Sequence, residues 1–235
     1  MATSIAFRDE LQRVVIPPVD SLAELRRWAA SDEFPERGRI DYIAGRIEVD
    51  MTAEELDAHG SVKIAIIYSL EGLVRAARSG RLYSDKTRVS SVEADLSVEP
   101  DIVFVSKRSL ASGRVARVPK AGSRSARYIE LQGAPDLIVE IVSDSSVAKD
   151  KQELPPAYWQ AGVDEYWLAD ARGQPLEFQI HHRGPTGWQP APADAEGFQH
   201  STVFDRRFRL TCQTEEDGEP LYELEIRPPQ GPGKQ

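Results

Sequence analysis

Cysteine is nearly absent from this chain of 235 residues. Cys212 stands alone, which excludes an intramolecular disulfide and any zinc site built from several thiolates, and leaves it the role of a small apolar filler. No apolar run approaches membrane-spanning length, and no internal repeat is visible. The opening MATSIAFRDELQRVV carries acidic residues and no long apolar stretch, so neither a secretory signal nor a transit peptide fits. A cytoplasmic location without membrane attachment is expected. Positive charge is in deficit, with 29 Lys and Arg against 38 Asp and Glu and a net charge of −9, which argues against a protein that coats nucleic acid nonspecifically. The deficit is uneven. Between Ile102 and Ile129 it is acidic residues that are missing, while Lys107, Arg108, Arg114, Arg117, Lys120, Arg124 and Arg127 supply seven positive charges. That stretch reads either as a solvated surface loop or as a local basic face for DNA.

What is present is the mixture of a globular protein, 40% hydrophobic and 29% charged residues interspersed along most of the length. The size suits one domain with an appendage. We divide it into an N-terminal arm (1–19), an α/β domain (20–182), a C-terminal β extension of the same domain (183–227) and a disordered tail (228–235) rich in Pro and Gly. Ser21 and Glu24 form a capping box that opens a short helix, and Ile40 to Val49 around Gly45 reads as a hairpin or a helix end running into a strand. Thr52 and Glu55 form a second box before Leu56, Val62, Ile66, Leu70, Leu73 and Ala77, whose helical spacing ends at Gly80. The pattern then turns to period two. Two continuous apolar runs, Ile102 to Val105 and Leu137 to Val142, are expected as central strands, each entered by Pro-Asp. Pro155 and Pro156 should break or delay a helix from Val147 to Ala161. Beyond Leu176, short strands suggest an antiparallel extension that could support a homodimer.

Glu140 interrupts Leu-Ile-Val-Glu-Ile-Val, and an ionised carboxylate in a strand otherwise ready for burial is costly unless a cation or donor meets it. Asp101 poses the same problem at the mouth of Ile-Val-Phe-Val. If the two strands are neighbours, two carboxylates converge. That suits a hard divalent ion such as Mg²⁺, with Mn²⁺ as a substitute, since Mg²⁺ takes a few carboxylate oxygens and keeps waters free for a phosphate. From spacing alone a second account stays open, in which Asp101 caps a strand and Glu140 pairs with a core arginine.

Taken together, Asp41-x-x-x-Gly45, His59, Pro100-Asp101-Ile-Val, Pro135-Asp-Leu-Ile-Val-Glu140-Ile-Val-Ser143, Asp150, Tyr158 and Gly162-Val-Asp-Glu-Tyr-Trp167 resemble the Uma-two endonuclease family of the PD-(D/E)XK superfamily. The resemblance covers roughly residues 20 to 182. It implies a restriction-endonuclease-like α/β fold, a central mixed sheet flanked by helices, and metal-dependent hydrolysis of DNA phosphodiesters. Asp101 and Glu140 would bind the metal, Asp41 and His59 would assist, and Ser143 and Asp150 would hold the loop and helix start. Two departures matter. The superfamily lysine two residues after the glutamate is here Val142, and the displaced position four residues after Asp150 is Leu154. Of the lysines flanking Asp150, Lys151 is expected to fill the gap before Lys149. Without such a lysine the chain reads instead as a catalytically weakened, nucleic-acid-binding nuclease fold, and a hydrolase of another small phosphate ester is a third reading.

Overall fold

The computed structural model describes residues 5–9, 12–35, 38–120 and 127–230. Two six-stranded sheets and a three-stranded sheet carry the fold. The central sheet runs Trp188–Pro190, Glu177–Arg183, Glu165–Asp170, Leu137–Ile141, Ile102–Ser106 and Gly80–Ser84. Leu137–Ile141 pairs parallel with Glu165–Asp170 and antiparallel with Ile102–Ser106, so the sheet is mixed. These central strands are buried on both faces, as their unbroken apolar runs require.

Period-two alternation gives the two faces different partners. Leu137, Val139 and Ile141, with Ile102 and Phe104, face the Val62–Ala77 helix and the antiparallel sheet Gln199–Ser201, Arg206–Thr214 and Pro220–Arg227. That helix buries Val62, Ile66, Leu70 and Val74 at helical spacing, each side chain contributing about 1.5–3 kcal/mol. Leu56, placed on the same stripe by the sequence, is 80% exposed. The reason is local winding: Leu56–Ser61 forms a π turn capped by the Glu55 carboxylate, which accepts from the N–H groups of Asp57 and His59. The extra residue in that turn rotates Leu56 away from the core and His59 toward it. The capping box of the first helix is present, with Ser21 accepting from the Glu24 N–H ahead of Leu22–Ala29.

On the opposite face, Ile138, Val142 and Tyr166 pack with Leu154 and Tyr158 of the Leu154–Ala161 helix and with Leu96 and Val98. The last two belong to a second sheet, ordered Arg46–Asp50, Arg39–Ile43, Leu96–Val98, Arg88–Ser91, Tyr128–Gly133 and Val115–Pro119. The central mixed sheet is flanked by helices as expected, and the second sheet covers much of one face. Its first hairpin turns at Ala44 and Gly45, both with positive φ. Pro155 and Pro156 fall in the first turn of their helix, where a missing N–H costs nothing, and the residues before them wind as a π turn, Lys149–Glu153. No helix among the described residues is long and apolar enough to cross a membrane.

Candidate active site

Leu137–Ile141 and Ile102–Ser106 are neighbours, and their register sets Val139 against Ile102. Glu140 and Asp101 therefore stand opposite one another at the end of the ladder. The Ile141 N–H donates to Asp101 Oδ2 at 2.8 Å, and the Asp101 N–H donates to Glu140 Oε2 at 3.4 Å. Alternation aims Glu140 into the layer between the two sheets, where the Tyr158 hydroxyl donates to its Oε1. Facing it is the Arg39–Ile43 strand of the second sheet. Residues of one strand face spaced by two share a side, so Arg39 and Asp41 arrive together.

The Arg39 guanidinium stands among three carboxylates. Its Nε lies 3.3 Å from Asp41, its Nη2 3.5 Å from Glu140 and its Nη1 4.0 Å from Asp101. A core arginine does pair with Glu140, as the alternative account had it, but it is shared by the whole acidic group. The fit is loose, for buried Nε and Nη2 have no hydrogen-bond acceptor. Around this centre the remaining charges alternate. Lys149 Nζ donates to Asp41 Oδ2 at 3.0 Å, while Asp41 Oδ1 accepts from the Glu99 N–H at 3.0 Å. His59 sets Nε2 3.4 Å from Asp101 Oδ2 and Nδ1 2.9 Å from Glu54. Lys63, one helical turn further on, reaches Glu54, Asp85 and Asp101 at 2.7, 2.6 and 3.5 Å. An open cleft of about 920 Å³ runs past the group, with Arg39, Glu54, His59, Glu99, Asp101 and Ser143 on its walls.

The electrostatics divide the two central carboxylates. Burial opposes ionisation of Asp101, but His59, Arg39 and Lys63 outweigh it and hold the group well below the usual carboxylate range. Glu140 goes the other way. Burial pushes it up to about 8, Arg39 only partly offsetting this, with the charges of Asp101 and Asp150 adding to the rise. Asp150 is raised to about 6, again chiefly by burial, although Ser146 donates to it. For His59, burial lowers the pKa but Asp101 and Glu54 raise it more, so the ring keeps its proton to higher pH than usual. The cluster thus gathers four buried carboxylates, those of Asp41, Asp101, Glu140 and Asp150, around the cationic groups of Arg39, His59, Lys63 and Lys149, and burial keeps Glu140 protonated to higher pH than usual.

Asp41, His59, Asp101 and Glu140 come together from four separate elements. Lys151 does not join them. The turn Lys149–Glu153 directs Lys149 and Asp150 inward, while Lys151 turns outward to Asp170 and Glu177 at 2.8 and 2.7 Å. Lys149 is the lysine of this segment inside the cluster. Val142 and Leu154, where lysines were sought, are fully buried in the apolar layer. Arg39 and Lys63 had been passed over. Their signal was available, since Arg39 is two residues before Asp41 on a strand and Lys63 four after His59 at a helix start. Among the described residues no group of three or more Asp, Glu, His or Cys side chains is placed to hold a metal ion.

No curated protein matches the chain. Among solved structures, one described as "a putative nuclease belonging to DUF820" from Anabaena variabilis superposes with a TM-score of 0.58 over 78% of this chain and 90% of that one, at 17% identity. That likeness shows a shared nuclease-like fold. The model of the Uma2 family, described as "Putative restriction endonuclease", matches residues 22–213, and over that span this chain belongs to the Uma2 family.

Proposed function

We propose that the protein is a Mg²⁺-dependent endonuclease that hydrolyses DNA phosphodiesters at the Asp101–Glu140 centre. One observation carries the reading: two buried carboxylates meet across adjacent strands beside a cleft, and burial pushes one of them, Glu140, up to about 8. Their chemistry fits the ion. Hard carboxylate oxygens suit Mg²⁺, which keeps most of its waters, so two protein ligands suffice. The Arg39 guanidinium, within 4.0 Å of Asp41, Glu140 and Asp101, marks the point at which the three carboxylates share a counter-charge.

When bound, the ion lowers the pKa of a water and neutralises charge on the scissile phosphate. The chain supplies the rest. Lys149 and Lys63 bring positive charge to two sides of the cluster, a preorganised environment for negative charge gathering on phosphate oxygens. Protonated His59 orients Asp101 and can hand a proton into the cleft it lines. Tyr158 fixes Glu140, and Ser146 fixes Asp150 below it. Cleavage of plasmid and short duplex DNA with added Mg²⁺, by the wild type and Glu140→Ala, tests the reading; equal activity in both removes it.

A second reading rests on Val142 and Leu154, apolar where lysines were sought, and on Arg39 already standing among the carboxylates. It makes the chain a nucleic-acid-binding nuclease fold without turnover. Duplex binding with no Mg²⁺-stimulated cleavage would decide for it.

A further inference from the structure

The Gly80–Ser84 strand is the outer strand of the central sheet. Its Ser84 end leads through Asp85 to the carboxylate cluster. Its Gly80 end borders a second cleft, of about 740 Å³, lined by Arg75, Arg78, Arg81, Tyr83, Lys107 and Arg117 among others. All five basic side chains are exposed. Glu71 is the one acidic residue on the wall, and it is bonded to Arg75 at 2.5 Å. Arg78, Arg81 and Lys107 make no ion pair among the described residues. Arg117 is held flat against the Tyr128 ring, 4.3 Å from its centroid.

Stability does not call for this concentration of charge. Cations at the end of the Val62–Ala77 helix complement its dipole, which accounts for Arg75 and Arg78. It does not account for Lys107, the first residue of the Lys107–Ala111 helix, where the dipole disfavours a cation, nor for Arg81 and Arg117 on strands. Like charges gathered in a concavity repel one another, in a chain whose net charge is −9. An anion spread over several sites relieves that repulsion. The basic stretch read from the sequence is only partly responsible. Lys107 and Arg117 belong to the cleft, Arg114 is bonded to Asp164 and the Gly162 carbonyl, and Arg124 lies outside the described residues.

We propose that this second cleft is a phosphate-backbone site that holds a DNA duplex along the outer strand. A strand rises ~3.4 Å per residue, so its two ends are ~14 Å apart, or about four phosphate steps along one DNA strand. One duplex therefore reaches both the basic cleft and the Asp101–Glu140 centre. That second contact rests on the proposed hydrolysis; the binding does not. A lipid surface suits the geometry less, because the basic groups line a hollow rather than a convex face.

The test is fluorescence anisotropy of a short duplex in EDTA at several salt concentrations, comparing wild type with Arg78→Ala/Arg81→Ala/Lys107→Ala. Removing three phosphate contacts should weaken binding and reduce the slope of log K against log salt by about 2.7. Melting temperature should change little, since the three side chains are exposed and only Arg78 complements a helix end. Hydrolysis of bis-para-nitrophenyl phosphate, too small to span the clefts, should be equal in both proteins; its absence from both indicts the hydrolytic reading and not this site. Equal duplex affinity and salt slope in the two proteins overturn the proposal, as does a wild type that binds no duplex. Loss of binding to phosphatidylglycerol vesicles with duplex binding intact also overturns it.

Discussion

Replacing Glu140 with Gln should make the metal-free protein more stable at alkaline pH, against the usual effect of altering a buried, hydrogen-bonded side chain. Glu140 is fully buried and its carboxyl is raised from an ordinary value of 4.5 to about 8. A carboxyl raised in the folded state contributes stability that is complete below its unfolded pKa and is lost as pH rises through the folded one. At 1.36 kcal/mol per unit of pKa, the wild type should lose roughly 3 kcal/mol on this account between about pH 5.5 and about pH 8.5. Glutamine cannot ionise, and it keeps an oxygen to accept from Tyr158. His59 also has a raised pKa and also loses stability toward high pH, but it is common to both proteins and cancels in the difference. Urea denaturation in EDTA across this range, wild type against variant, isolates the Glu140 contribution. A stability difference that does not change with pH, or a variant that falls faster than wild type as pH rises, refutes the reasoning. Mg²⁺ should then reverse the order at alkaline pH, stabilising the wild type but not the variant.

Other substitutions probe the same centre. Arg39→Ala strips Asp41, Asp101 and Glu140 of their shared cation and should cost about 3–5 kcal/mol without metal, most of it regained with Mg²⁺ or Mn²⁺ in the same denaturation assay; no regain would show that no ion takes that place. Lys149→Ala should lower Mg²⁺-dependent DNA cleavage by roughly 10²-fold while Lys151→Ala leaves it unchanged, because only Lys149 lies in the cluster. The reverse result would restore the assignment made from sequence. Asp101→Asn should abolish the rise in melting temperature on adding Mn²⁺, and an undiminished rise would remove Asp101 as a ligand.

Much of this centre was legible in the chain. A glutamate inside Leu-Ile-Val-Glu-Ile-Val and an aspartate before Ile-Val-Phe-Val announce themselves because a charge in an apolar strand needs a partner, and alternation fixes which face each takes. The hairpin at Ala44–Gly45, the Ser21 cap and the long amphipathic helix follow from equally local rules. Lys151 could not be separated from Lys149 in this way. Two lysines flanking one aspartate look alike until the winding of the turn is known, and the prolines that follow wound it as a π turn.

What the sequence by itself determined, then, is which residues needed a counter-charge. Which cations answer them was decided only in three dimensions. Arg39 meets Glu140 because a second sheet, paired between segments far apart in the chain, covers that face. His59 reaches Asp101 because an extra residue in one helical turn swings it inward, and Lys63 because the helix that follows is packed against the central sheet. Propensity and periodicity act over a few residues, whereas the pairing of distant strands is settled by packing, and packing has no local signature.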